Sequence, residues 1–125
     1  MATINVTSKN FEKLITSNDI VILDFWAQWC GPCKMFGPVF EKVSEKHPDI
    51  AFGKVNTEEA QDLAAEFNIR SIPTLMIFRG KVMIFAQPGA LPEDALEDVI
   101  AQVKKLDMAK VHQEVAKQQP QSQAK

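Results

Sequence analysis

Seven consecutive residues, Ile20 to Trp26, carry a single polar side chain, Asp24. A short apolar run rich in β-branched residues reads as a strand covered on both faces, because one solvated face would leave an alternating pattern. Such a strand needs helices above and below it, and the flanking sequence supplies them. Upstream, Phe11, Leu14 and Ile15 fall at helical spacing behind Thr7 or Ser8 as a cap. Downstream, a helix is expected from about Cys33 to His47, with Met35, Val39, Phe40 and Val43 on its apolar face and Pro38 kinking it.

The alternation continues. Thr3 to Val6 reads as an edge strand and Ile50 to Val55 as another. Asn56 with Glu59 three residues on is close to a capping box, and opens a helix carrying Ala60, Leu63, Ala64 and Phe67. Thr74 to Phe78 is a strand, Arg79-Gly80-Lys81 a tight turn, and Val82 to Phe85 its antiparallel partner. Pro92 begins a last helix, in which Leu96, Val99, Ile100, Val103 and Leu106 keep the 3.6-residue period and Val111 and Val115 extend it. The polar end, residues 118–125, reads as a disordered tail behind a helical extension over 107–117. Strands alternating with helices give an α/β chain with a mixed sheet, covered on both faces. The first strand–helix–strand unit is expected to be a right-handed parallel crossover.

Only two cysteines occur, Cys30 and Cys33, at the strand-to-helix junction. A loop that small hardly constrains the unfolded chain, so the pair is a poor staple. Residues three apart lie on one helix face, with Cα atoms roughly 5 Å apart, inside disulfide range. The pair can therefore cycle between dithiol and disulfide with little backbone movement. Cys30, at the helix start, gains thiolate stabilisation from the dipole and unpaired N–H groups, and is expected to be the exposed nucleophile. Cys33, one turn in, is expected to be shielded. Pro32 removes one donor from that start, which favours the disulfide and a reducing couple. Zinc needs a closed set of four ligands, and His47 and His112 are far apart and form no second pair, so no metal is expected.

Asp24 interrupts an apolar run six residues before Cys30. Burial would raise its pKa, making it a candidate proton acceptor and donor for Cys33. The net charge of −2 gives no general electrostatic case for nucleic acid or an anionic membrane. No apolar run approaches the roughly 18 residues of a membrane span. The start, MATINVTSKN, has no basic stretch followed by an apolar core, so no secretory signal is expected and a reducing, cytoplasmic setting is.

Trp26-Ala27-Gln28-Trp29-Cys30-Gly31-Pro32-Cys33-Lys34, with Asp24 before it, Ile72-Pro73-Thr74 after it and Gly89-Ala90-Leu91 late, resembles the thioredoxin family in its bacterial type, from about residue 3 to Leu106. The resemblance implies a mixed five-stranded sheet flanked by four helices, in a domain spanning 1–106. It implies that Cys30 attacks a target disulfide and that Cys33 resolves the mixed disulfide. Asp24 would take the Cys33 proton, with Lys54 modulating it. Pro73 would be cis and face the cysteines. Trp29, Gly31, Pro32, Ile72, Pro73, Thr74, Gly89 and Ala90 would meet the substrate, and Trp26 would pack beneath the loop. No cofactor would be bound; electrons would come from NADPH through thioredoxin reductase. The partners implied are that reductase and disulfide-containing proteins, and the chain is expected to be a monomer.

Three features depart from the family pattern. Gln28 stands where an acid is common, Pro88 has no N–H to offer beside Gly89, and residues 107–125 extend beyond the domain. Two other functions suit the same fold: a disulfide oxidant or isomerase, and a binding or holdase subunit with incidental redox chemistry. The absent signal and the Gly31-Pro32 pair count against the first. Retained activity after loss of both cysteines would mark the second.

Overall fold

The computed structural model describes residues 2–123, with side chains to residue 118. Strand β2 (Ile20–Trp26) is the centre of a five-stranded sheet of order β1-β3-β2-β4-β5. β1 (Thr3–Asn5) and β2 both run parallel to β3 (Ala51–Asn56). β4 (Thr74–Arg79) and β5 (Val82–Pro88) are antiparallel. The first two strands therefore do not pair: β3 lies between them, an order that periodicity cannot supply.

The period of two along β2 sorts its side chains. Ile20 and Ile22 join Phe36, Phe40, Phe52, Leu96 and Ile100 on one face. Val21, Leu23 and Phe25 join Ile15, Leu63 and Phe78 on the other. Full burial of each large side chain stabilises by about 1.5–3 kcal/mol, before chain entropy is counted. Asp24 has the parity of Ile20 and Ile22, so it belongs to the face covered by α2 (Gly31–Lys46) and α4 (Glu93–Lys104). α1 (Phe11–Ser17) and α3 (Gln61–Glu66) cover the other face.

Several local expectations are corrected. Asn10, not Thr7 or Ser8, is the N-cap residue of α1, because the Asn10 side chain turns back to accept from Thr7 N at 2.8 Å. α3 starts only at Gln61, since Asn56 Oδ1 accepts from Glu58 N in a turn that precedes the helix. Pro92 is an N-cap residue rather than the first helical one. On α2, beyond Cys33, the buried apolar residues are Phe36, Phe40 and Val43, spaced i, i+4, i+7, and Met35, about 100° away, is 76% exposed. The helix continues through Pro38, where the kink was expected, to Lys46.

The last helix is two. α4 ends at Lys104, and α5 (Met108–Gln123) starts after a short break. Arg79 explains the stop: its Nη1 donates to the carbonyls of Val103, Lys104 and Leu106 at 2.7, 3.1 and 3.2 Å. Asp107 then accepts from Lys110 N and restarts the helix. Helix α5 takes in residues 118–123 of the segment expected to be a disordered tail; residues 124 and 125 lie outside the described residues. His112 Nε2, 2.9 Å from Gly80 O, ties α5 to the β4–β5 turn, where Gly80 and Lys81 both have positive φ.

Gly53 in β3 is fixed by close approach. A Cβ there would lie 2.5 Å from Val6 Cγ2 and 2.9 Å from Leu23 Cδ2, inside the core beneath α1. Gly53→Ala is expected to cost about 1–3 kcal/mol as an overpacked core. A urea midpoint equal to wild type would show that Val6 and Leu23 move aside freely.

Candidate active site

β2 delivers the chain to Ala27, and after one turn α2 begins with Cys30 as its N-cap residue. Cys30 Sγ accepts from the Cys33 main-chain N–H at 3.2 Å. Pro32 sits in the first turn, where a missing N–H costs nothing within the helix. The two Cα atoms are 5.3 Å apart, and the sulfurs are joined as a disulfide. The spacing argument thus holds, but the exposure argument does not. Cys30 is 4% exposed and Cys33 5%, both packed with Ala27, Trp26 and Ile72. An N-cap side chain folds back over its own helix end, so position at the start did not make Cys30 exposed.

The second wall comes from the loop before β4. The Ile72–Pro73 peptide is cis, and Ile72 O lies 3.6 Å from Cys30 Sγ. Gly89, at φ +105°, donates its N–H to Pro73 O at 2.8 Å, bringing the end of β5 to the same rim. Gly89 and Ala90 are exposed, Ile72 is half-buried, and Pro73 is buried. Thr74 is buried too, and its hydroxyl donates to Ser71 O at 2.6 Å, so its side chain is withdrawn from the rim. Pro88 stands opposite Thr74 in the β4–β5 register.

Trp29 is 68% exposed beside Gly31 and Pro32, which are also exposed. Its Nε1 donates to Glu58 Oε2 at 2.8 Å. Glu58 went unnoticed in the sequence, where only its neighbour Glu59 was read, as part of a near capping box with Asn56.

Asp24, two residues before Trp26 on β2, is fully buried, with no hydrogen-bond partner for either oxygen. Desolvation raises its pKa from 3.8 to about 7, with the Lys54 charge pulling the other way. Lys54 is opposite Asp24 in the β2–β3 register, and its Nζ sits 5.1 Å above the Trp26 ring. A groove of about 430 Å³ opens there, lined by Trp26, Cys33, Lys34, Gly37, Glu41 and Lys54 among others. Among the described residues, no group of three or more His, Cys, Asp or Glu is placed to hold a metal, and no helix is long and apolar enough to cross a membrane.

This arrangement, a disulfide at a helix start facing a cis-proline loop, with a buried carboxyl on the strand that leads to it, agrees with what known proteins show. The family model described as Thioredoxin matches residues 2–102. The chain belongs to the thioredoxin family. A protein named putative thioredoxin 2 from Streptomyces coelicolor is 58% identical over 121 residues, covering 97% of this chain and 90% of that one. The thioredoxin of Alicyclobacillus acidocaldarius is 40% identical over 103 residues, covering 82% and 98%. Among solved structures, a mutant thioredoxin from Halobacterium salinarum superposes with a TM-score of 0.77 at 35% identity, covering 83% and 92%. The thioredoxin fold, with its mixed five-stranded sheet, is present, and α5 is added to the four helices that were expected. As a thioredoxin with its redox-active Cys30–Cys33 disulfide, the chain is a protein-disulfide oxidoreductase acting as a reductase.

Proposed function

We propose that Cys30 is the attacking thiolate and Cys33 the resolving thiol of this reductase. The observation that carries the assignment is the Cys33 N–H aimed at Cys30 Sγ, 3.2 Å away at the start of α2. A charge-assisted bond and the helix dipole both favour a thiolate at that sulfur. Asp24 takes the Cys33 proton and returns it in the reverse step, which suits a carboxyl whose pKa of about 7 lies near working pH. Lys54 tunes Asp24 through its charge.

Targets dock on the rim made by Trp29, Gly31, Pro32, Ile72, Pro73, Gly89 and Ala90, with Ile72 offering its backbone to an extended segment. Trp26 supports the loop from below. Glu58 holds the Trp29 indole by its hydrogen bond. The redox unit is residues 1–106, and 107–125 is an appendage. The protein works as a cytoplasmic monomer, and thioredoxin reductase returns electrons from NADPH.

Equilibration of the couple with defined thiol buffers tests the direction of the reaction. The expected potential is about −270 mV, the value of thioredoxins that work as reductants. A potential near −120 mV, that of a strong oxidant, would reassign the chain to disulfide formation.

A further inference from the structure

We propose that Met35 belongs to the docking rim and is a site of reversible oxidation: a peroxide converts its thioether to the sulfoxide, which weakens the hold on protein targets and spares the dithiol exchange. This rests on the rim assigned above and adds a modification site to it.

Met35 is more exposed than Trp29, at 76% against 68%. The core-facing positions beyond the cysteines are Phe36, Phe40 and Val43, so packing does not call for an apolar residue at 35. Helix geometry gives its place. Residues three and four apart are neighbours on a helix surface, so Met35 adjoins Gly31 and Pro32, both exposed and both on the rim. A helical side chain leans back over the turn N-terminal to it, which here is the turn that carries the disulfide. The surface above Gly31 is open: a Cβ placed there would meet nothing within 4 Å. The stripe of α2 that holds Met35 continues through Val39, Lys42 and Lys46. Lys42 and Lys46 pair with Glu93, the first residue of α4, at 3.0 and 2.8 Å, and Val39 and Leu91 pack on the same core. The stripe therefore faces the segment that enters α4. Met35 stands between Gly31–Pro32 and the chain that carries Gly89 and Ala90.

The thioether suits both roles. It is flexible and polarisable, and fits apolar surfaces of varied shape. Exposed, it is also open to peroxide. Its sulfur lone pair attacks one peroxide oxygen, the S–O bond forms and the O–O bond breaks. The departing hydroxide takes the proton left on the transferred oxygen. The sulfur is oxidised by two electrons, and hydrogen peroxide is reduced to water. The sulfoxide is polar, and a target that covers it must strip water from that oxygen. Cys30 competes for peroxide only as a thiolate, so the modification collects while the Cys30–Cys33 disulfide is closed. Met83 gives the comparison. It is 49% exposed but lies near the start of β5, whose far end, Pro88, is the one opposite Thr74. Met76, 2% exposed within the sheet, is shielded.

The test treats the disulfide form with hydrogen peroxide and locates the added oxygen by peptide mass. Met35 is expected to be oxidised well ahead of Met76. Peroxide is then removed, the disulfide is reduced, and two rates are read: on insulin, a protein disulfide, and on the small neutral disulfide dithiodipropionamide. On insulin, kcat/KM should fall roughly fivefold, as for loss of one apolar contact in an interface. The rate on dithiodipropionamide should not change. Methionine sulfoxide reductase with dithiothreitol should restore the insulin rate. Met35→Leu should abolish the response to peroxide, whatever its own starting rate, and Met35→Gln should reproduce the slow insulin rate without peroxide. Met83→Leu should match wild type before and after treatment. An unmodified Met35, a response that persists in Met35→Leu, or equal slowing on dithiodipropionamide would overturn the proposal. Ala90→Glu, run alongside, tests the rim itself. If it slows insulin and the Met35 sulfoxide does not, the Met35 site alone fails; if it leaves insulin unchanged, the rim reading fails with it.

Discussion

Cys33→Ser is expected to give a protein that attacks a target disulfide once and then stops. The substitution leaves the backbone N–H that points at Cys30 Sγ, so the thiolate at the start of α2 keeps its stabilisation. The loop against the cis Ile72–Pro73 peptide is also untouched. Attack therefore proceeds, but no second thiol lies 5.3 Å away, Cα to Cα, to release the product. A target–protein mixed disulfide should accumulate one to one under non-reducing conditions, and multiple turnover should fall on the order of 10³-fold or more, as for removal of one member of a catalytic unit. Cys30→Ser should lose turnover equally on protein disulfides but trap nothing from the docking rim. Turnover retained in both variants would leave only a binding role for this fold. An adduct that forms on protein targets equally well in Cys30→Ser would exchange the two assignments.

How much of this could be read from the sequence depends on whether a feature is local. Ile20 to Trp26 announced a central strand because burial on both faces leaves its mark in the residues themselves. The cysteine spacing did the same, since three residues of helix fix a distance that the fold then reproduces. Asp24 stood out because a carboxyl in an apolar run has few explanations. What the sequence hid was set by partners far along the chain. Arg79 read as a turn residue, yet its reach to three carbonyls across 24 to 27 residues ends α4 and separates α5. Asn56 has the chemistry of a cap but closes a turn instead. Cys30 is covered in part by its own helix end and in part by Ile72, 42 residues away, a contact that no local rule supplies. The cis form of Pro73 followed only from family resemblance, since an X-Pro bond carries no local signal strong enough to choose it.

Asp24 should also dominate how stability depends on pH, and the sign opposes the usual carboxylate behaviour. In the unfolded chain Asp24 ionises near 3.8, and in the native chain near 7. Between those values the native state holds a proton that the unfolded state has released, so stability falls as pH rises through this window. It is fully present below the unfolded value and levels off above the native one. A shift of about three units corresponds to about 4 kcal/mol. Asp24→Asn removes the titration. The difference in unfolding free energy between variant and wild type should then swing in favour of the variant by about 4 kcal/mol from pH 4 to pH 9, while groups common to both cancel. Urea unfolding of the two proteins across that range measures it. Parallel curves would mean that Asp24 is ionised throughout and that Lys54 or a bound water holds its charge. Lys54→Gln, which removes the opposing charge, should move the midpoint of the fall further upward. The same buried proton links stability to catalysis. Asp24→Asn should slow resolution by Cys33 more than attack by Cys30, because the proposed role of that carboxyl is to take the Cys33 proton. Equal slowing of both steps in single-turnover kinetics would make Asp24 a general influence on the site rather than the base for Cys33.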